Sequence, residues 1–308
     1  MTPTSAILRH ITRAVLSSPD RLRRVNFARS LWLRVETLHA VAYFGEETGD
    51  AARSLGINGF WSSYFGFRAA PMGPVEAGLV EAVFFNFAPS FVRRWVPSVW
   101  SVATPEKLVT TRREAAARSL QRLYPEIGGV AADVNAALED AVARCRSAGR
   151  PLFSANRALT MPDDPVERLW QLCTSLREHR GDGHVAALTA KGLDGLEAHV
   201  LIALEGHGAS AEDLQRTRGW TADDWSAAVD RCAARGWLRS DGTLSASAQQ
   251  LRRDIEATTD RLANQPFDDV DTVSQERLLH NLTAAAVAVS NSGTIRYPNP
   301  IGLPAMSA

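Results

Sequence analysis

Apolar residues recur along this chain mostly three and four positions apart, the spacing that lays one face of a helix against a core. Residues 28–44, ARSLWLRVETLHAVAYF, put Leu31, Val35, Leu38 and Ala42 on one such face. GEETGD breaks the pattern and a short helix over AARSLG follows. VEAGLVEAVFFNFAP reads as a buried helix stopped by Pro89. EAAARSLQRLYP and VAADVNAALEDAVARCRSAG predict two amphipathic helices, the second closed by Gly149. The proline-punctuated stretch 151–165 predicts a linker between a helical N-terminal domain (1–150) and a second domain (166–290), with an extended tail over 291–308.

Boundaries are clearest in the second half. Asp194 is an N-cap, and Glu197 completes a capping box for a helix over about 195–205. Ser210 caps a short helix ending at Gly219, and Thr221 caps another running to Gly236. Two short apolar segments then flank Asp241-Gly242, a hairpin signal, and ASAQQLRRDIEATTDRLA closes the unit as a long helix. Helix, helix, turn, helix, hairpin, helix is the order of a winged helix-turn-helix, so the expected fold is mainly α with that motif in its C-terminal half.

RGWLRSDGTLSASAQQLR resembles the wing of MarR-type regulators, although Ala248 stands where those proteins usually carry glycine. Further stretches are ETLHAVAYF (36–44), GFWSSYF with RAAPMGP (59–74), FFNFAP (84–89), GRPLFSAN (149–156), LREHRGDGHVAAL (176–188), RGW (218–220) and YPNPIGLP (297–304). Through these the whole chain resembles an actinobacterial helix-turn-helix family. The resemblance implies a fold and a set of signature residues, not an activity. Within it, AARSLGINGFWSSYFGFRAAPMG reads as a second, degenerate helix-turn-helix.

The helix capped by Thr221 would bury Trp225, Ala228, Val229 and Cys232 and turn Asp223, Ser226, Ala227, Asp230, Arg231 and Ala234 outward. Two aspartates, one arginine and no amide side chain make a poor reader of base edges lined by phosphates. Arg216 and Arg218 are the nearby cations that would have to compensate, together with pairing in a homodimer. Net charge is zero, which removes long-range attraction to nucleic acid. Cys145, Cys173 and Cys232 have no metal-ligand spacing and read as buried thiols. No run of eighteen apolar residues exists, and Arg9, Arg13, Asp20, Arg21, Arg23 and Arg24 break up any apolar leader, so the expected place is the cytoplasm with no membrane partner.

Chemistry concentrates in LREHRGDGH, residues 176–184. A helix over about 166–180 should end at Gly181-Asp182-Gly183, with Asp182 capping the next helix and His184 opening it. Upstream, Glu36 and His39 lie at i, i+3 and Tyr43 one turn on. That E-x-x-H spacing is also one that aims two ligands at a metal, making Glu36 and His39 metal candidates. The expectation is a pocket between the two halves. Glu36, His39, His179 and His184 are its catalytic groups, oriented by Arg177 and Asp182. Tyr43, Trp61, Tyr64, Phe65 and Phe87 form the walls, and Arg68 and Arg180 bind acidic ligand groups. No nucleotide, Rossmann, hydrolase or zincin motif occurs, and the sequence names no cofactor. The expected function is small-molecule binding by a winged-helix protein, extending to acid/base catalysis of the kind used in secondary metabolism. The alternative is a MarR-like, ligand-responsive DNA-binding regulator.

Overall fold

The computed structural model describes residues 19–206 and 208–307, with side chains from residue 27 onward. Residues 1–18, which carry part of the expectation about a leader, lie outside the described residues. Among the described residues the chain forms fourteen α-helices and no strand. In order, the first seven are α1 (Pro19–Phe44), α2 (Glu46–Ser54), α3 (Phe60–Ala69), α4 (Ala77–Val83), α5 (Pro89–Val92), α6 (Pro105–Leu123) and α7 (Ile127–Arg144). The rest are α8 (Pro151–Arg157), α9 (Pro165–Ala190), α10 (Gly195–Glu205), α11 (Ala211–Arg218), α12 (Ala222–Ala234), α13 (Ala246–Asn264) and α14 (Thr272–Asn291).

Helix α9 is the axis of the molecule, packed against α1, α7, α8 and α13. Its first half is apolar on several sides, and Val166, Leu169, Trp170, Leu172, Cys173 and Leu176 are all buried. They join the largest apolar cluster, with Leu31, Val35 and Leu38 of α1, Leu138 of α7 and Leu282 of α14. The stripe expected on α1 is therefore the one that packs. Residues 151–157 form α8, which packs on α9, and the same cluster runs from Phe27 to Leu303. The tail adds to it through Ile295 and Leu303, and the Asn299 side chain holds it folded by bonding Leu303 at both its nitrogen and its carbonyl.

Three expectations need correction. The break after α1 is the single residue Gly45, because Glu46–Ser54 is already helical and a Cβ at Gly45 would fall 2.6 Å from the Val41 carbonyl oxygen. Pro89 does not stop a helix but opens α5 at its first turn, where a missing N–H costs nothing. Most consequentially, Gly181-Asp182-Gly183 does not interrupt α9 at all. Two mid-helix glycines cost roughly 1 kcal/mol each relative to alanine. Tertiary packing overrides that cost: a Cβ at Gly183 would lie 2.7 Å from Arg150 Nη1, and that guanidinium donates to the His179 carbonyl.

The caps of the second half fall where local chemistry places them. Asp194 and Thr221 form capping boxes with Glu197 and Asp224, Ser210 and Ser245 cap α11 and α13, and Gly219 ends α11 in the left-handed region at φ 76°. The hairpin after α12 is reduced to one antiparallel bridge, Leu238 to Leu244. In the N-terminal half α2 and α3 are joined by a turn over 55–59, the arrangement that a degenerate motif would take, but Tyr64–Phe67 of α3 are buried. No helix among the described residues is long and apolar enough to cross a membrane.

Candidate functional site

A cavity of about 790 Å³ opens between α1, α3 and α9 on one side and α10, α11, α13 and the tail on the other. Its floor is a mesh of ion pairs. Glu36 accepts from Arg177 Nε at 3.1 Å and from the Trp32 indole at 3.2 Å. Arg177 also reaches Glu178 at 2.6 Å, and Glu178 accepts from Arg68 at 3.2 Å. Arg68 in turn donates to the Tyr64 hydroxyl at 3.1 Å and lies 4.2 Å over the Phe84 ring. On the neighbouring wall, Arg180 and Arg29 share Asp260 and Glu256, with Arg180 stacked 4.7 Å over Trp32.

Burial sets the protonation of these groups. Desolvation alone would raise the Glu178 carboxyl, but the guanidinium groups of Arg177 and Arg68 overcome it and hold it down at about 2. Burial pushes Asp182 up to about 7, opposed by the bond from the Phe153 amide (2.9 Å), with Glu178 adding and the charges of Arg68 and Arg150 opposing weakly. Asp182 is thus a carboxyl of the cavity wall held near neutrality. Burial lowers His184, whose Nδ1 lies 2.9 Å from the Thr259 hydroxyl.

The four expected catalytic groups do not converge. Glu36 and His184 line the cavity with Asp182; His39 and His179 do not. Because α9 is continuous, His184 stands about 140° round the helix from His179, at about 100° per residue. His179 points into the core against Phe153, 5.1 Å between ring centroids, and burial lowers it to about 3. His39 stacks on Trp170 at 5.6 Å, bonds the Thr174 hydroxyl at 2.9 Å, and is held neutral by burial and the charge of Arg177. Both pack behind the cavity, outside its lining. Among the described residues no three His, Cys, Asp or Glu side chains are grouped to hold a metal ion, and the Glu36 carboxylate is taken by Arg177 and Trp32.

Of the expected walls, Tyr64, Phe87, Arg68, Arg177 and Arg180 line the cavity, whereas Phe65 is fully buried in the core. Tyr43 and Trp61 line a second, adjoining chamber of about 330 Å³ together with Phe44, Phe60, Tyr64 and Arg218. Three participants escaped the sequence reading. Glu178 lies within LREHRGDGH but was not singled out there, and it is buried. Arg218 looked available to DNA, but is buried against Phe87, its guanidinium carbon 4.7 Å from the ring centroid. His199, on the apolar helix α10, lines the cavity. The signal that pointed to Arg218 was its place in RGW.

The stretches that carried the resemblance meet around this cavity. In RGW, Arg218 faces it, Gly219 leaves room for Phe91 (a Cβ would be 2.4 Å away), and Trp220 donates to the Asn86 carbonyl at 3.0 Å. FFNFAP answers with Phe87 under Arg218 and the Ala88 amide donating to the Arg218 carbonyl at 2.9 Å. GRPLFSAN brings Arg150 and the Phe153 amide to α9, and YPNPIGLP brings the Pro300 carbonyl to Arg218 at 2.5 Å. In comparison with known proteins, a family model described as a helix-turn-helix family matches residues 28–296. No curated protein and no solved structure matches the chain.

Proposed function

Because the chain belongs to this helix-turn-helix family, we propose that it is a member that binds a small organic ligand in the cavity between its N-terminal helices and its helix-turn-helix unit. The observation that carries this reading is the cavity itself, about 790 Å³, where Trp32, Tyr64, Phe84 and Phe87 stand beside charged side chains fixed by one another, so that aromatic surface and positioned polar groups face one enclosed space. Recognition-helix chemistry supports the same reading. The outward face of α12 exposes Asp223 and Asp230, and its Arg231 is committed to Asp194 at 2.7 Å and Glu197 at 3.2 Å. Arg218, one of the two cations that would have to compensate, faces the cavity. Chemistry on the ligand would rest on Asp182 and His184, since His39 and His179 lie outside the cavity lining.

Screening by thermal shift against a library of small organic molecules tests this. Compounds that stabilise the protein and lose about tenfold or more in affinity in His184→Ala support it. Binding indifferent to both His184→Ala and Tyr64→Phe overturns it.

A second reading is a MarR-like, ligand-responsive regulator that binds DNA as a homodimer. The intact α11–turn–α12 arrangement, the bridged hairpin behind it and the family match favour it. Sequence-dependent retardation of DNA, with affinity falling steeply between about 50 and 200 mM salt, would establish it in place of a role confined to ligand binding. Sedimentation velocity would check the dimer.

A further inference from the structure

Ion-pair accounting around the cavity leaves one buried cation over. Arg68 and Arg177 are matched by Glu178 and Glu36, Arg29 and Arg180 by Glu256 and Asp260, and Arg252 by Glu205 at 2.6 Å. Arg253 lies at the exposed rim, bonded to Gln250. Arg218 is 7% exposed, and its partners are the carbonyls of Thr217 and Pro300 and the face of Phe87. Burial, with the like charges of Arg68 and Arg177 nearby, lowers its guanidinium to about 10.

A second observation falls on the same wall. His199 is 4% exposed and lines the cavity, and neither of its ring nitrogens has a hydrogen-bond partner. Burial and the charge of Arg218 keep the ring neutral, so it presents one N–H donor and one acceptor. A buried cation without a counter-charge and a buried imidazole without a partner are each costly alone. A single carboxylate would relieve both, taking charge-assisted bonds from the guanidinium and a bond from the imidazole N–H. Arg218 also stands where the two chambers adjoin. It lines the larger cavity and the smaller chamber, whose walls include Phe60, Trp61 and Tyr64.

We infer that Arg218 and His199 form the seat for the carboxylate of an organic acid whose aromatic body lies in the chamber walled by Phe60, Trp61 and Tyr64. This assignment rests on the cavity being a ligand site and names the ligand class it takes. Its test is calorimetric titration of the full-length protein with benzoate, 2-naphthoate and anthracene-2-carboxylate, each beside its primary amide. The expected result is that at least one acid binds about tenfold or more tightly than its amide, and that Arg218→Gln abolishes the preference. His199→Leu, which removes two unpartnered nitrogens, should raise the Tm of the free protein while weakening the acid; a histidine with a purely structural role would lose stability and leave acid binding unchanged. This second variant decides the matter if Arg218→Gln does not fold. Acid and amide binding equally well would overturn the carboxylate seat and leave the cavity reading standing. A preference that survives both substitutions would move the seat elsewhere. If no acid and no amide binds, the carboxylate seat falls and the cavity reading rests on the library screen alone.

Discussion

Two carboxylates four positions apart on the same helix take opposite protonation states. Glu178 and Asp182 are both buried on α9, yet one is held at about 2 and the other pushed up to about 7, because Glu178 is ion-paired with Arg68 and Arg177 whereas the charges of Arg68 and Arg150 act on Asp182 too weakly to offset its burial. Replacing Glu178 by Gln strands Arg68 and leaves Arg177 with Glu36 alone, and breaking such a buried pair costs about 3–5 kcal/mol. Urea unfolding of Glu178→Gln should show that loss, well beyond the effect of an exposed pair such as Arg216–Asp213. Asp182 gives the reverse signature. Its folded-state value lies above the unfolded 3.8, so its contribution is present at low pH and is lost as pH rises through about 7. Relative to wild type, Asp182→Asn should therefore gain Tm between about pH 4 and pH 7 and hold that gain above it. Comparing the two proteins cancels the buried histidines, whose lowered values work in the other sense. None of this was legible in LREHRGDGH, because a charge's burial depends on partners such as Arg68, distant in sequence from Glu178.

At the scale of elements, legibility followed the range of the chemistry. Capping boxes, serine caps and left-handed glycines act within four residues, and so Asp194, Ser210, Gly219 and Thr221 marked α10 to α12 correctly. Glycines whose role is to admit a neighbour carry no such local mark, and Gly181-Asp182-Gly183 read as a break in what is one continuous helix. The placement of His179 and His184 on different faces follows from that continuity. Two substitutions separate the roles. At Gly181 a Cβ would meet only Glu178 Oε2 at 3.6 Å, an ordinary contact, so Gly181→Ala should stabilise by about 0.5–1 kcal/mol through helix propensity. At Gly195 a Cβ would fall 2.0 Å from the Phe85 carbonyl oxygen, so Gly195→Ala should destabilise by at least about 1–3 kcal/mol as α10 is forced off its neighbour. Thermal and urea denaturation of both variants would check the opposite signs.

The whole molecule is closed by its ends. The tail packs Leu303 into the main core and places Asn299, Ile301 and Pro304 on the cavity wall, while Pro300 bonds Arg218. Deleting residues 297–308 should remove at least the burial of Leu303, about 1.5–3 kcal/mol, and lower Tm by several degrees. The polar mesh beneath the cavity should leave the helical content seen by circular dichroism nearly unchanged. A distinct tail over 291–308 was legible from its prolines; that it would dock on its own chain, and bond to an arginine some eighty positions earlier, was not. Trp32 borders the larger cavity beneath Arg180, and Trp61 borders the aromatic chamber beside Tyr64. Each compartment thus carries its own indole fluorophore against the background of the remaining six. Quenching that disappears in Trp32→Phe, or instead in Trp61→Phe, reports from emitted light alone which compartment a bound molecule occupies.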